Sequence, residues 1–364
     1  MDNIEKLRKE IDKIDRKVVD LLEKRAEISK EIGENKIELG LDVLQPEREK
    51  YVIENVQNQS KFLKKANIKA IWKEVMSACK EVQGLTIKVS YLGPEGTNTH
   101  KAALGFFPKS GTEFIEASNI FDVFKDIEAD KVDFGVLPIE NSLQGTVRET
   151  MDLLIEKNLK IYSEIEIRIV HNLIGLKNSQ LNKIKEIYSH PQAISQTMNW
   201  IRSNIPNAEI VKTNSTAQAV KMIAEFGDNT KVAIGADIAA KLNNLEIIAS
   251  GIEDNPSNFT RFLIISKREN IETEGNYKTS LVFVVKHVPG ALYTVLKLFA
   301  DNNINLLKIE SRPRRQGLWE YIFLMDFEGS HKDIKIQKIF EKMKEVTIWY
   351  KVLGTYIPKT VEKK

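Results

Sequence analysis

The chain has one cysteine in 364 residues, ten prolines, and no apolar run near the ~18 residues that a membrane span needs. A single thiol excludes an internal disulfide framework and a cysteine-cluster metal site, and it fits a reducing, cytoplasmic setting. Charge of one sign is also missing: 54 basic residues stand against 51 acidic ones, a net of +3. So even a balance gives no bulk electrostatic case for binding nucleic acid or a membrane surface. The opening MDNIEKLRKEID lacks the apolar core of a signal peptide. Repeats and low-complexity tracts are absent. What remains is a soluble chain of roughly two or three domains.

Three textures follow one another. In 1–85 the only proline is Pro46. Apolar residues at Ile4, Leu7, Ile11, Ile14, Val18, Leu21, Ile28 and Ile32 keep the spacing of one helix face, predicting a helix over 4–38 that is roughly 50 Å long. So long a stripe cannot be covered within its own short segment, which points to a partner helix from a second copy of the chain. Pro46 starts a second helix ending near Gln59, and a third is expected over 67–83. From Thr86, β-rich runs such as IKVSYL, VDFGVL and RFLIIS alternate with helical stretches, the mark of an α/β layer structure, over 86–268. Beyond the polar KRENIETEGNYK, residues 278–356 read β-α-β-β-α-β, a ferredoxin-like order. The expected architecture is all-α, then α/β, then a small α+β unit.

Charges sit in unexpected places in the first unit. Arg25 falls in the centre of the apolar stripe between Leu21 and Ile28, and Lys36 lies on the same stripe about three turns on. Two unpaired buried cations would cost several kcal/mol each, so an anionic partner is required. Buried glutamates or a snorkelling dimer seam satisfy that demand, and so does a small dicarboxylate. Arg8 flanks the stripe, Glu49 faces inward on the second helix, and Cys79 and Gln83 lie on the inner side of the third.

The runs LRKEIDKIDRKVVDLLEKRAEISKEIGENK, PEREK and EVMSACKEVQ resemble the all-helical class of chorismate mutase over 1–83. That resemblance implies an intertwined helical dimer in which Arg25, with Arg8 of the partner subunit, binds the two substrate carboxylates. It places Lys36 and Gln83 on the ether oxygen and Glu49 on the ring hydroxyl, with Arg48 beside it. Gln45 stands where the family often has aspartate, and Cys79 where it often has serine. A pericyclic Claisen rearrangement needs no nucleophile, only a clamped conformer and donors where charge grows on the ether oxygen.

The α/β section puts polar turns at strand ends. Gly93-Pro94-Glu95-Gly96-Thr97 follows IKVSYL, and Pro138-Ile139-Glu140-Asn141-Ser142 with Leu143-Gln144-Gly145-Thr146 follows VDFGVL. Ser189-His190-Pro191-Gln192, Asn214-Ser215-Thr216 and Asn258-Phe259-Thr260-Arg261-Phe262 repeat the placement. Each alone reads equally as a tight turn, an N-cap or a structural histidine. Together they favour a pocket at strand C-termini, where open α/β sheets bind ligands. A serine hydrolase is disfavoured, because Ser142 lacks the G-x-S-x-G elbow and His171 and His190 lack a clear acid partner. Metal-ligand spacing is absent.

GPEGTNTHKAA, LPIENSLQGTVRETMDLL, VHNLIG, YSHPQAISQ, STAQAV and NFTRF, in that order over 88–266, resemble prephenate dehydratase. The resemblance implies two α/β lobes around a cleft, as in periplasmic binding proteins. It makes Thr260 the hydroxyl donor to the leaving group and puts Arg261 near a carboxylate. Asn141, Ser142, Gly145, Thr146, Ser215 and Thr216 would complete substrate binding. Asn98 stands where that family usually has an aromatic residue.

In the last unit, Gly290-Ala291-Leu292 opens a helix and Glu310-Ser311-Arg312-Pro313 closes a strand. These resemble the GAL and ESRP motifs of the amino-acid-sensing ACT domains, which implies phenylalanine bound between paired domains. The three resemblances imply a bifunctional enzyme of phenylalanine biosynthesis, cytoplasmic and homo-oligomeric (dimer or tetramer), with no cofactor or metal and with phenylalanine as inhibitor. Two other readings fit the residues: a non-catalytic amino-acid sensor, and a dehydratase whose helices only dimerise.

Overall fold

Between Asp2 and Glu38 there is no proline and only one glycine, so nothing interrupts the apolar periodicity, and one helix spans Asp2–Glu38. This computed structural model describes residues 2–38, 46–84, 86–270, 275–313 and 321–360. Two further helices follow, Pro46–Gln59 and Lys65–Glu81. Ile68, Met76 and Cys79 are buried on the third. The first helix keeps its stripe largely in the open: Leu21 is 67% and Ile4 62% exposed, with Leu7, Ile11, Ile14 and Ile28 also exposed. Together with 107–113, residues 1–88 make the first of two compact units. That short segment packs on the third helix through Ser110 and Gly111, whose backbone N–H groups donate to Glu74 and Glu81.

The second unit holds three sheets. In the first, Phe134–Asn141 runs parallel to Ile87–Leu92 and antiparallel to Phe259–Ser266, which pairs in turn with Lys160–Arg168. After Arg168 the chain crosses to a second, five-stranded sheet built on Asn172–Gly175, Glu186–Ser189 and Lys231–Gly235, and it returns before Phe259. Two crossings between two mixed sheets give the two-lobed α/β architecture. The third sheet orders Leu306–Pro313, Tyr321–Glu328, Lys278–Val285 and Thr347–Tyr356, with helices Ala291–Ala300 and Ile334–Val346 in the β-α-β-β-α-β sequence. No helix among the described residues is long and apolar enough to cross a membrane.

Strand Lys278–Val285 is buried almost throughout, because both of its faces are covered. Leu281 and Phe283 pack with Val295, Phe299 and Met343 of the ferredoxin-like unit. Val282 belongs to the core of the neighbouring lobe, with Leu263, Met151 and Leu154. Where those two sheets meet, Arg261 pairs with Glu140 (2.6 Å), Glu164 (2.7 Å) and Asp326 (3.1 Å). Lys278 pairs with Glu164 and Asp326, each at 3.0 Å. Ser280 donates to Asp326 at 2.6 Å, and the Tyr356 hydroxyl donates to Glu164 at 3.3 Å.

Burial alone would raise the Asp326 carboxyl, yet Lys278 and Arg261 more than offset it and hold it below the usual carboxylate range. Glu140 is likewise lowered against its burial by Lys308 and Arg261. A carboxyl depressed in the folded state stabilises fully above its unfolded pKa, about 4, and that contribution is lost as pH falls through the folded value. The expected result is a drop in the urea midpoint between about pH 5 and 3, and a shallower drop in Asp326→Asn. Equal acid slopes in the two proteins would refute this account of the cluster.

Candidate active sites

Gly33 is buried on the first helix, and a Cβ there would meet Gln83 Cγ at 2.9 Å. The missing side chain therefore lets Gln83 lie directly on the first helix, about one turn before Lys36. Arg25 donates to Cys79 Sγ at 2.7 Å, tying the stripe's central cation to the third helix. Glu49 pairs with Lys80 at 2.6 Å, and the Arg48 guanidinium lies 5.1 Å from the Tyr51 ring centroid. Arg25, Lys36, Glu49, Cys79 and Gln83 thus belong to one helical unit. Arg8 lies apart: it is exposed, about 25 Å along the helix from Arg25 and turned about 100° around it. Gln45 lies outside the described residues.

In the second unit a cleft of about 250 Å³ is lined by Asn98, Asn141, His171, His190, Gln192, Gln196, Asn214, Ser215, Thr216, Asn258 and Thr260, with Ile169 and Ala193. No Asp, Glu, Lys or Arg is among these lining residues. Strand pairing sets Thr260 opposite Asn141, whose amide nitrogen donates to the Thr260 hydroxyl at 2.9 Å. Ser215 caps the helix Thr216–Phe226, its hydroxyl accepting from Gln218 N at 3.0 Å. That helix aims the positive end of its dipole into the cleft.

Four expected residues are placed otherwise. Side chains alternate along a strand, so with Thr260 in the cleft Arg261 must point to the opposite face. There it is held by Glu140, Glu164 and Asp326, and its pKa is raised further despite burial because Glu164 and Asp326 stabilise the charge. The expectation that Arg261 lies near a substrate carboxylate is corrected accordingly. Thr146 turns the same way and donates to Glu310. Ser142 braces the turn, donating to Ser257 O at 3.0 Å and accepting from Phe259 N at 2.9 Å. Gly145 supplies a left-handed turn residue at φ +77°.

An open pocket of about 570 Å³ lies at the start of helix Ala291–Ala300, lined by Gly290, Ala291, Leu292, His287, Tyr321 and Phe323 among others. Glu310, Ser311, Arg312 and Pro313 do not line it. Glu310 and Arg312 face the neighbouring lobe, where Arg312 pairs with Asp152 at 2.6 Å and Glu310 accepts from Thr146, with Lys308 of its own strand 3.2 Å away. The alternate residues Leu307 and Ile309 are exposed at 47% and 44% on this outermost strand. Within one chain the two motifs are therefore separate.

Sequence reasoning did not assign His171 or Gln196 to the cleft, and it placed Asn258 only in a polar turn at its edge without a binding role. His171 Nε2 lies 2.8 Å from Gln196 Oε1, and Asn258 donates to the same oxygen at 3.1 Å. The signal for His171 and Gln196 was membership of the motif strings VHNLIG and YSHPQAISQ. His190 does both jobs that its motif allowed: its ring caps the helix Pro191–Ser195, and it lines the cleft.

The chain matches the Chorismate mutase type II family over 7–84, Prephenate dehydratase over 89–270 and the ACT domain over 279–345. A bifunctional chorismate mutase/prephenate dehydratase of Aquifex aeolicus is 39% identical over 98% of both chains. Among solved structures, a prephenate dehydratase from Arthrobacter aurescens in complex with L-Phe is 31% identical at TM-score 0.68, covering 74% of this chain and 90% of that one. A protein described as a novel type of quorum quenching acylase has TM-score 0.67 at 28% identity, over 75% of this chain and 98% of that one.

Proposed function

The chain belongs to the family of bifunctional chorismate mutase/prephenate dehydratases, and from that membership we propose which residues carry each step and how the product controls it. Both activities follow from the family, which sets aside the sensor and the inactive-helix readings.

For the rearrangement, Arg25 and Arg8 of the partner subunit take the two carboxylates of chorismate. Lys36 and Gln83 donate to the ether oxygen as its bond to carbon lengthens, and Glu49 holds the ring hydroxyl beside Arg48. Cys79 fixes the Arg25 guanidinium, and Gln45 belongs to the same substrate shell. The exposed stripe of Asp2–Glu38 supports a second copy of the chain as its cover, in a dimer or tetramer. Its single cysteine supports a reducing, cytoplasmic setting.

For the second step, the cleft containing Thr260 and Asn141 is the observation that carries the reading. The electron pair of the ring carbon–carboxylate bond moves into the ring as CO2 leaves, the C4–O bond breaks, and the departing hydroxyl takes up one proton from solvent and leaves as water. Thr260 donates a hydrogen bond to that departing oxygen. The helix N-terminus at Ser215 and Thr216 accommodates the side-chain carboxylate. A pocket without cations suits the ring carboxylate, since a guanidinium beside it would stabilise the charge that has to be lost. The outward turn of Arg261 is then an advantage. An acylase reading would need an activated hydroxyl; those of Ser142, Ser215 and Thr260 bond to backbone or amide groups and none to a histidine.

Phenylalanine is the proposed inhibitor, bound at Gly290, Ala291 and Leu292 with its carboxylate at the helix N-terminus. Glu310, Ser311, Arg312 and Pro313 come to this pocket from a second copy, a pairing that the exposed Leu307 and Ile309 support. A coupled assay tests the whole reading. Chorismate alone is expected to yield prephenate and then phenylpyruvate, and saturating phenylalanine is expected to lower the second rate. Prephenate accumulating without phenylpyruvate, or kinetics indifferent to phenylalanine, would overturn the corresponding part.

A further inference from the structure

Between Thr260 and His171 runs an unbroken chain of side-chain hydrogen bonds, and the direction of every bond follows from one fixed end. Asn141 Oδ1 accepts from the backbone N–H groups of Leu143 (3.0 Å) and Gln144 (3.2 Å). Backbone amides only donate, so the oxygen of Asn141 must face them and its NH2 must face the other way. That NH2 donates to Thr260 Oγ1 at 2.9 Å and to Asn258 Oδ1 at 2.8 Å. Asn258, 1% exposed, therefore turns its own NH2 to Gln196 Oε1 at 3.1 Å. Gln196 thus presents its oxygen to His171 Nε2 at 2.8 Å, and that ring nitrogen must carry a hydrogen.

Two consequences follow at the cleft. Thr260 Oγ1 is an acceptor within the protein, and among the described residues its hydroxyl hydrogen has no acceptor, so the hydrogen is left for a bound substrate. His171 is held as its Nε2–H tautomer. We propose that Asn258 and Gln196 are positioning residues for the dehydratase step, carrying the orientation set at Asn141 on to His171, so that His171 presents a single tautomer to the cleft beside the Thr260 donor. The proposal rests on Thr260 being the donor to the leaving hydroxyl.

Near-isosteric changes reverse or cut the chain. In Asn258→Asp, one carboxylate oxygen still accepts from Asn141, while the other confronts Gln196 Oε1 where an N–H stood. Gln196 then turns its amide, its NH2 faces His171, and the imidazole hydrogen moves to Nδ1. Gln196→Met removes the shared acceptor. Gln196→Glu keeps an acceptor for both Asn258 and His171 but adds a negative charge facing a dianionic substrate.

The test measures kcat and KM for prephenate in the full-length chain, with mutase turnover of the same samples reporting the fold. Imidazole ¹⁵N spectra report the tautomer, the His171 signal being the one missing from His171→Gln. Asn258→Asp and Gln196→Met are expected to lower dehydratase kcat by about 10- to 100-fold with little change in KM. Asn258→Asp is also expected to move the His171 hydrogen to Nδ1. Gln196→Glu should recover most of the kcat lost in Gln196→Met while raising KM. Parent-like kcat in Asn258→Asp and Gln196→Met with an unchanged His171 spectrum, alongside an inactive Thr260→Ala, would overturn the positioning proposal alone. An active Thr260→Ala would instead remove the reading on which it rests.

Discussion

Thr260→Ala is expected to lower phenylpyruvate formation by about 10²–10⁴-fold while prephenate formation from chorismate continues at the parent rate. The hydroxyl is the only group of Thr260 that differs chemically from alanine in a hydrogen-bonding sense, and hydroxide is too poor a leaving group to depart unassisted. Removing the hydroxyl leaves Asn141 Nδ2 with Asn258 Oδ1 and the Phe259 carbonyl as acceptors. One hydrogen bond is still lost, so the effect must be read as kcat at a temperature where the mutase remains fully active. Thr260→Ser keeps the donor and is expected to retain far more turnover than the alanine variant. A dehydratase that ignores Thr260→Ala would remove the proposed donor, and with it the reason for a cleft of neutral amides around it.

Thr260 and Arg261 show how far a sequence reads and where it stops. The TRF run located a strand and a hydroxyl, but adjacent residues of a strand face opposite sides, and only pairing tells which side is which. The register opposite Asn141 and Ile167 sends Thr260 to the cleft and Arg261 to the acidic cluster of Glu140, Glu164 and Asp326. The same limit hid the amide chain. Asn141 and Asn258 are 117 residues apart, and Asn258 and Gln196 are 62 apart. Spacing in a linear chain carries no trace of such contacts. Helices were easier, because their periodicity is local: the second helix begins at Pro46 and ends at Gln59 where turn chemistry and pattern placed it. The β-α-β-β-α-β order was legible for the same reason. The double burial of Lys278–Val285 was not, since its second face is covered by a lobe encoded elsewhere.

Lys36→Ala is expected to lower mutase turnover by about 10²–10³-fold, leaving dehydratase activity with added prephenate unchanged. The rearrangement offers little for a protein to stabilise except the charge that grows on the ether oxygen. Lys36 follows Gly33 by about one helical turn, and the absence of a side chain at Gly33 seats Gln83 against the same helix. Near-normal turnover would sink the assignment. The same variant tests how the site is assembled. Arg8 and Arg25 are about 25 Å apart along one rigid helix and about 100° apart around it, too far for both to grip one small dicarboxylate. If Arg8 serves the site of a second copy, Arg8→Ala chains and Lys36→Ala chains complement each other. Random pairing makes about half of the dimers mixed, and each mixed dimer has one site with both lesions and one with neither. Co-expressed variants, each inactive alone, should then recover about one quarter of the parent turnover. Failure to recover activity, with both single variants inactive and dimeric, would place Arg8 and Lys36 in the same site and refute the exchange of helices between copies.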